Sequence, residues 1–408
     1  MPKMPANIKK IFLEKSWPLP VTILLLLFPA LFVNLGFLPL DLPTDEGRRA
    51  LVALEMMLSG DYITPTLNGE LYFNKPPLYN WIIAASFQLW NEISMFALRF
   101  PVVIGLLLYG LTMFFFLKKH FDWLQAFIIT FFFITCGRIF FYDSFLGLID
   151  ITYSWATFSI FMLTFHFYEK KRFYALFLVT YLLTAIGFLM KGLPSLVFQA
   201  ITLLVIFSYN RRFWKLVSVE HALGILLLFS ILGTYYYFYF TVNDSSPETV
   251  ANVLWGETTK RTVVRFGVLV TIAHILTFPV EMLYHFAPWT VLVIFLFRKD
   301  LLQQINRHPF IKFCAYTFFF NIIVYWTSPE VYPRYLHMLA PLVFIVYGWL
   351  LFNAPPAAWQ IRVLKPFLLV VAILVSIAPL VFPFVKVLQD IPHAWPKSLV
   401  LFGGHTTV

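Results

Sequence analysis

The chain has 408 residues, of which 60% are hydrophobic and 20% aromatic, with a mean hydropathy of +0.79. No water-soluble domain tolerates that surface, and many apolar runs come near the roughly 20 residues that a bilayer crossing demands, so the composition defines a polytopic helical membrane protein. Continuous rather than alternating apolar runs exclude a porin-like barrel. The net charge of +10 does not indicate nucleic acid either, because the basic residues gather between spans, where they set topology.

In chain order, the segment from Met1 to Lys15 leads into a first span too long for the apolar core of a signal peptide, and no clear small-residue cleavage site follows. Spans are predicted at 17–39, 97–117, 123–141, 151–168, 173–190, 194–209, 221–242, 279–297, 311–327, 336–353 and 366–386, about 11 in all. Basic clusters then fall on alternate connections: Lys9/Lys10/Lys15, Lys118/Lys119, Lys170/Lys171/Arg172, Arg211/Arg212/Lys215, Arg298/Lys299/Arg307/Lys312 and Arg362/Lys365. That alternation predicts a cytoplasmic N-terminus and places the other connections on the outer side. Cys136 and Cys314 both lie in apolar segments and define neither a disulfide framework nor a zinc site. The expectation is one transmembrane domain over 1–408, with no appended soluble domain and no internal repeat.

The first outward connection, 41–96, gathers an acidic pair, two arginines and a lysine before two prolines in a chain that is only 12% charged. Within it, Gly47 to Ser59 is apolar around most of a helical wheel, with Arg48, Glu55 and Ser59 on a narrow stripe, which suits an interfacial helix. Leu78–Trp90 reads as a second such helix, and Val263–Phe278, broken by Arg265 and His274, is similar and is not counted as a span. Thr44 stands where it caps the first of these helices, with Asp45 and Glu46 in its opening turn. Acids there complement the helix dipole without further purpose. Equally, with Arg48, Arg49 and Lys75 close by, they supply a base for a hydroxyl and cations for a departing phosphate. An isolated lysine at Lys75 would simply snorkel, but Pro76 and Pro77 stiffen the backbone behind it.

These residues resemble a known family. The string carried by Asp45, Glu46, Arg48, Ser59–Tyr62, Pro65, Leu67–Gly69, Tyr72, Phe73, Lys75–Leu78 and Trp81 is similar to the first outward loop of polyprenyl-phosphate-sugar-dependent glycosyltransferases. These membrane enzymes of GT-C fold (glycosyltransferase family 39) include the lipid A aminoarabinose transferase and, more distantly, protein O-mannosyltransferases. Elsewhere the likeness rests on an aspartate opening the fourth span, Lys191–Pro194, Pro288-Trp289, and Pro333–Leu336 before Pro341. Relatives often carry a glutamate before the lysine where this chain has Asn74, which puts a metal contact there in question. The chain is also shorter than the aminoarabinose transferases, so the acceptor does not carry over.

The resemblance implies an all-α GT-C bundle in the bacterial inner membrane. It implies a polyprenyl-phosphate sugar donor, a lipid, glycan or protein acceptor, and an active site on the periplasmic side. Asp45 is then the general base, Glu46 and Asp150 orient or assist, and Arg48, Lys75, Lys191 and Arg334 bind the donor phosphate. Asp150 is preferred as the second acid because one bilayer length separates it from Lys170; Asp143 is the fallback, and either also fits a polar residue at a helix start. Lys191 and Arg334 stand at outward span ends against the positive-inside trend, where phosphate binding and snorkelling both fit. His285 and His337 have no metal-ligand spacing and read as interfacial. No cofactor is defined, and a divalent cation is left open.

A flippase for a lipid-linked sugar is the rival, but carriers place ionisable residues along their pathway, and these spans have almost none in their middles. A non-catalytic membrane scaffold leaves the charged loop unexplained. The topology has a direct check. In intact cells a membrane-impermeant thiol reagent should label Asn68→Cys, and should label Lys170→Cys only after permeabilisation. The opposite pattern would overturn the side assigned to every connection.

Overall fold

A computed structural model describes residues 29–32, 35–36, 44–72, 74–243, 248, 251–253, 255–256, 263–381 and 384. Most of the expected 17–39 span, the basic residues before it, Phe73 and the tail after Lys386 lie outside the described residues. The first connection contains α1 (Asp45–Ser59), a hairpin of β1 (Thr66–Leu67) and β2 (Glu70–Leu71), and α2 (Leu78–Trp90). The bundle follows: α3 (Met95–Leu117), α4 (Trp123–Ile134), α5 (Gly137–Phe141), α6 (Asp150–Glu169), α7 (Phe173–Lys191), α8 (Pro194–Tyr209) and α9 (Val219–Val242). It continues with α10 (Val263–His285), α11 (Leu301–Asn306), α12 (Pro309–Trp326), α13 (Ala340–Asn353) and α14 (Ala358–Val381). Among the described residues, five helices are long and apolar enough to cross a membrane, or up to seven if two bent pairs each count as one span.

α6 lies at the centre, against α3, α7, α8, α12 and the 3-10 turn Pro333–Leu336. Most of its side chains are buried, including Thr152, Ser154, Thr157 and Thr164. Facing protein rather than lipid, it can carry hydroxyls that bond back to its own carbonyls, as Thr157 does to Tyr153 at 3.1 Å. The expected 123–141 span is broken: α4 and the segment from Gly137 to Phe145 meet at a 53° bend, which brings Asp143 inward.

The segment around 263–297 differs from expectation. The long helix is α10, kinked at Gly267 where the backbone leaves helical geometry (φ 78°), and residues 289–296 form a separate 3-10 stretch. The His274 ring lies 3.3 Å from the Tyr325 carbonyl, and Trp326 Nε1 donates to the Ile275 carbonyl at 2.8 Å, both at the end of α12. Beyond the helix, the Ala287 carbonyl accepts from Gly137 N–H at 2.6 Å. The middle of α10 and the residues after it are thus tied to one end of the bundle, so this part of the helix runs across that end. Its exposed Leu269, Ile272, Leu276 and Val280 suit a lipid interface. Pro288, which has no N–H to prolong a helix, turns the chain, and Trp289–Leu296 descends until Ile294 meets Gln360 of α14 at 2.9 Å. Sequence placed the span at 279–297 because it ranks apolarity and cannot see which way an apolar helix lies.

The two expected interfacial helices are present as α1 and α2, packed on each other. Thr44 takes the N-cap position with extended backbone, but its side chain makes no capping bond. The buried face of α1 contains Glu46 and Arg49 beside Val52, Ala53 and Met56, so it is not simply an apolar face on lipid. After Gly60 ends the helix, Asp61 Oδ1 accepts the amides of Ile63 and Thr64 at 2.8 and 3.0 Å. Asn68 and Gly69, at φ 56° and 78°, make the two-residue turn that matches strand twist. Glu55 of α1 holds this turn: its carboxylate accepts from the Thr66 hydroxyl at 2.6 Å and from the amides of Asn68 and Gly69 at 2.6 and 3.3 Å.

Partial burial raises the Glu55 pKa, but these three bonds outweigh it and hold the carboxyl below its ordinary value. A depressed native pKa means that the stabilisation is present above the unfolded-state value and is lost as pH falls through the native one. Amide exchange at Asn68 and Gly69 should therefore stay slow at about pH 5 and quicken only in stronger acid. Glu55→Ala should lower the local opening free energy by about 1–2 kcal/mol at neutral pH. Unchanged protection in that variant would mean that the strands hold the turn alone.

Candidate active site

The helix starts and span ends at one end of the bundle bring together five of the expected site residues. Asp45, in the first turn of α1, accepts from Arg334 Nη2 at 2.8 Å, and Arg48 Nη2 lies 3.4 Å from its other oxygen. Asp150 opens α6 and accepts from Lys191 Nζ, the last residue of α7, at 2.5 Å. Arg334, on the 3-10 turn Pro333–Leu336, joins the two: its Nε is 3.2 Å from Asp150 Oδ2. That second contact is an ion pair without hydrogen-bond alignment. Aromatic faces pack on the cations: Lys191 Nζ is 4.0 Å from the Tyr335 ring centre and 4.9 Å from Tyr153, and Arg334 is 4.4 Å from Tyr332.

Exposure separates the two acids. The Asp45 side chain is 47% exposed, whereas that of Asp150 is 6% exposed and engaged by two cations. Asp45 can therefore meet a solute and exchange a proton with it; Asp150 is placed to fix Lys191 and Arg334. Lys75 lies partly buried in the turn before Pro76, between the hairpin and α2.

Glu46 and Asp143 are not in this cluster. Glu46, 4% exposed, receives Arg99 Nε and Nη2 at 2.7 and 3.0 Å in a bidentate pair, and the Gly147 amide at 2.6 Å. The Tyr79 hydroxyl donates to the next carbonyl, Leu148, at 2.9 Å. Glu46 and Tyr79 thus clamp the strand of chain that delivers Asp150. A Cβ on Gly147 would lie 3.1 Å from Glu46 Oε1 and 2.9 Å from Leu98, so only glycine permits this approach. Burial pushes the Tyr79 hydroxyl far above its ordinary pKa; Arg49 opposes this, while Asp150 and Glu46 reinforce it. Asp143 is buried and accepts from Arg138 Nε at 2.8 Å, with His337 Nε2 also at 2.8 Å. His337, expected at an interface, is fully buried and joins Asp143 to the turn that carries Arg334.

Arg99 was missed from sequence although a signal was there. It sits at the outward end of the 97–117 span, against the positive-inside trend, as Lys191 and Arg334 do. Among the described residues, no three His, Cys, Asp or Glu side chains form a metal-ligand group.

A charged cluster at one end of an apolar helical bundle, roofed by interfacial helices, defines a polytopic membrane protein of GT-C type. Its fold is that of ArnT from Cupriavidus metallidurans. The crystal structure of ArnT bound to undecaprenyl phosphate superposes with TM-score 0.68 at 18% identity, over 96% of this chain and 70% of that one. The apo structure gives 0.67 at 18% identity, over 99% and 72%. Residues 74–238 match the family described as dolichyl-phosphate-mannose-protein mannosyltransferase. Among curated relatives, a protein of Aquifex aeolicus is 26% identical over 54% of this chain and 44% of its own. The undecaprenyl phosphate-alpha-4-amino-4-deoxy-L-arabinose arabinosyl transferase of Shewanella sediminis is 41% identical over 17% of this chain and 13% of its own. Its Aeromonas hydrophila namesake is 28% identical over 46% and 36%. The chain spans less than half the length of these curated relatives. It is a polytopic membrane protein that shares the fold of ArnT.

The buried Glu46–Arg99 pair yields a stability test. Glu46→Gln leaves Arg99 charged and without its carboxylate in the interior, which should cost about 3–5 kcal/mol. Glu46→Leu combined with Arg99→Met should recover most of that loss in detergent melting curves. A double variant as unstable as Glu46→Gln would show that packing, not charge, dominates there.

Proposed function

We propose that the protein transfers a sugar from a polyprenyl-phosphate donor to an acceptor hydroxyl or amine. The observation that carries this reading is the half-exposed Asp45 carboxylate, joined through Arg334 to the buried Asp150–Lys191 pair. The fold supports it, being shared with a protein crystallised with undecaprenyl phosphate. So does the first-loop string, in a chain similar to arabinosyl transferases named for that carrier.

The reaction is a single in-line displacement at the anomeric carbon, with inversion. Asp45 takes the acceptor's proton as the new bond forms, and the bond from the anomeric carbon to the phosphate oxygen breaks. The leaving phosphate gains a negative charge, which Arg48, Lys75, Lys191 and Arg334 neutralise. Asp150 holds Lys191 and Arg334 in place for that task. Glu46 serves as framework for the Asp150 segment, and Asp143 as framework for the turn carrying Arg334. The alternating basic clusters support a multi-pass protein of the bacterial inner membrane, its N-terminus cytoplasmic and this site periplasmic. The acceptor is a lipid, a glycan or a protein.

Asp45→Asn keeps the size of the side chain and an acceptor for Arg334, but it cannot take a proton. Transfer of radiolabelled sugar from an undecaprenyl-phosphate donor by the purified variant should fall by about 10²–10⁴-fold. Its melting temperature and donor binding should stay close to wild type. Wild-type turnover in Asp45→Asn would sink the mechanism.

A further inference from the structure

The cations of this end are mostly matched by carboxylates. Arg48 and Arg334 meet Asp45, Lys191 and Arg334 meet Asp150, Arg99 meets Glu46, and Arg138 meets Asp143. Arg49 is different. It is 5% exposed, and among the described residues it makes no ion pair. Its one hydrogen bond there is a long one, Nη1 to Asn80 Oδ1 at 3.5 Å, and its guanidinium lies 5.9 Å from the centre of the Tyr72 ring. Burying a guanidinium with so little compensation is unfavourable, and an anionic group beside it would remove the cost.

Its position says which anion. Arg49 is four residues after Asp45, so the two share a face of α1, and helical side chains lean towards the N-terminus. Arg49 therefore reaches up beneath Asp45. Like Asp150 and Glu46 it lies near enough to the Tyr79 hydroxyl to act on it, so it belongs to the same neighbourhood as the acids. With Nη1 turned to Asn80, the Nε–Nη2 edge remains, and that edge presents two parallel N–H donors spaced for two oxygens of one phosphate.

We infer that Arg49 binds the phosphate of the lipid-linked donor, two oxyanion oxygens on its Nε–Nη2 edge, an inference that rests on the donor class proposed above. Arg48, Lys191 and Arg334 already share their charge with carboxylates. A cation that does not gains most when the bond to the anomeric carbon breaks and the phosphodiester monoanion becomes a phosphate with one further negative charge. Arg49, which the sequence offered only as one of several nearby cations, is thus a phosphate-binding residue in addition to Arg48, Lys75, Lys191 and Arg334.

The test uses the full chain in detergent, with undecaprenyl phosphate and the uncharged undecaprenol as probes. The wild type should be stabilised against heat by the phosphate and not by the alcohol. Arg49→Met should bind undecaprenyl phosphate at least tenfold more weakly, while its melting temperature without lipid stays level or rises. Arg49→Lys should fall between, keeping the charge and losing the two-pronged edge. An Arg49→Met protein that binds undecaprenyl phosphate within twofold of wild type overturns the inference and leaves the donor class intact. A wild type indifferent to undecaprenyl phosphate overturns both. If methionine prevents folding, Arg49→Gln, which retains a donor for Asn80, is read by the same outcomes.

Discussion

One guanidinium ties this end of the molecule together. Arg334 reaches Asp45 at a sequence separation of 289 residues and, with its Nε, the first residue of the central helix. The contact with Asp150 lies where both side chains are largely shielded from water, at 14% and 6% exposure. Charges there attract more strongly than in water, and each is costly to leave alone. The ends of α6 and α7 and the turn before α13 must therefore meet, and Lys191 completes the set against the rings of Tyr335 and Tyr153.

Around that bridge, four acids of similar chemistry take different work from their surroundings. Asp45 keeps nearly half its side-chain surface open and one firm arginine bond. Asp150 is sealed between a lysine and an arginine. Glu46 spends both oxygens on Arg99 and one of them also on Gly147, which fixes the segment leading to Asp150. Asp143 is drawn to Arg138 and His337, which fixes the turn that carries Arg334. The framework pairs are buried and one acid is open, so only one carboxylate of the four is placed to meet a solute.

Much of this was legible in the residues. Apolar run length and the alternation of basic clusters gave the bundle, because helices are the element that satisfies its own backbone in lipid and cations mark one membrane side. Most of the predicted spans within the described residues correspond to helices of the bundle. Two prolines behind a lysine and an acid pair before two arginines pointed to the first connection. A length count placed Asp150 at the start of α6.

Tertiary structure alone decided the partners. Glu46 and Asp45 are adjacent in sequence, yet successive residues of a helix point about 100° apart, so one enters the bundle to meet Arg99 while the other stays open. Arg99 is separated from Glu46 by 53 residues and His337 from Asp143 by 194, distances across which no local pattern selects one partner over another. The lie of α10 across one end was hidden for a related reason. Hydropathy measures how apolar a segment is, whereas contacts with Tyr325, Trp326 and Gly137 fix where that apolar surface lies. The sequence determined the class of molecule and the stretch in which its ionisable residues gather, because composition and charge order act locally along the chain; which carboxylate remains open to solvent was set by packing between segments far apart in it.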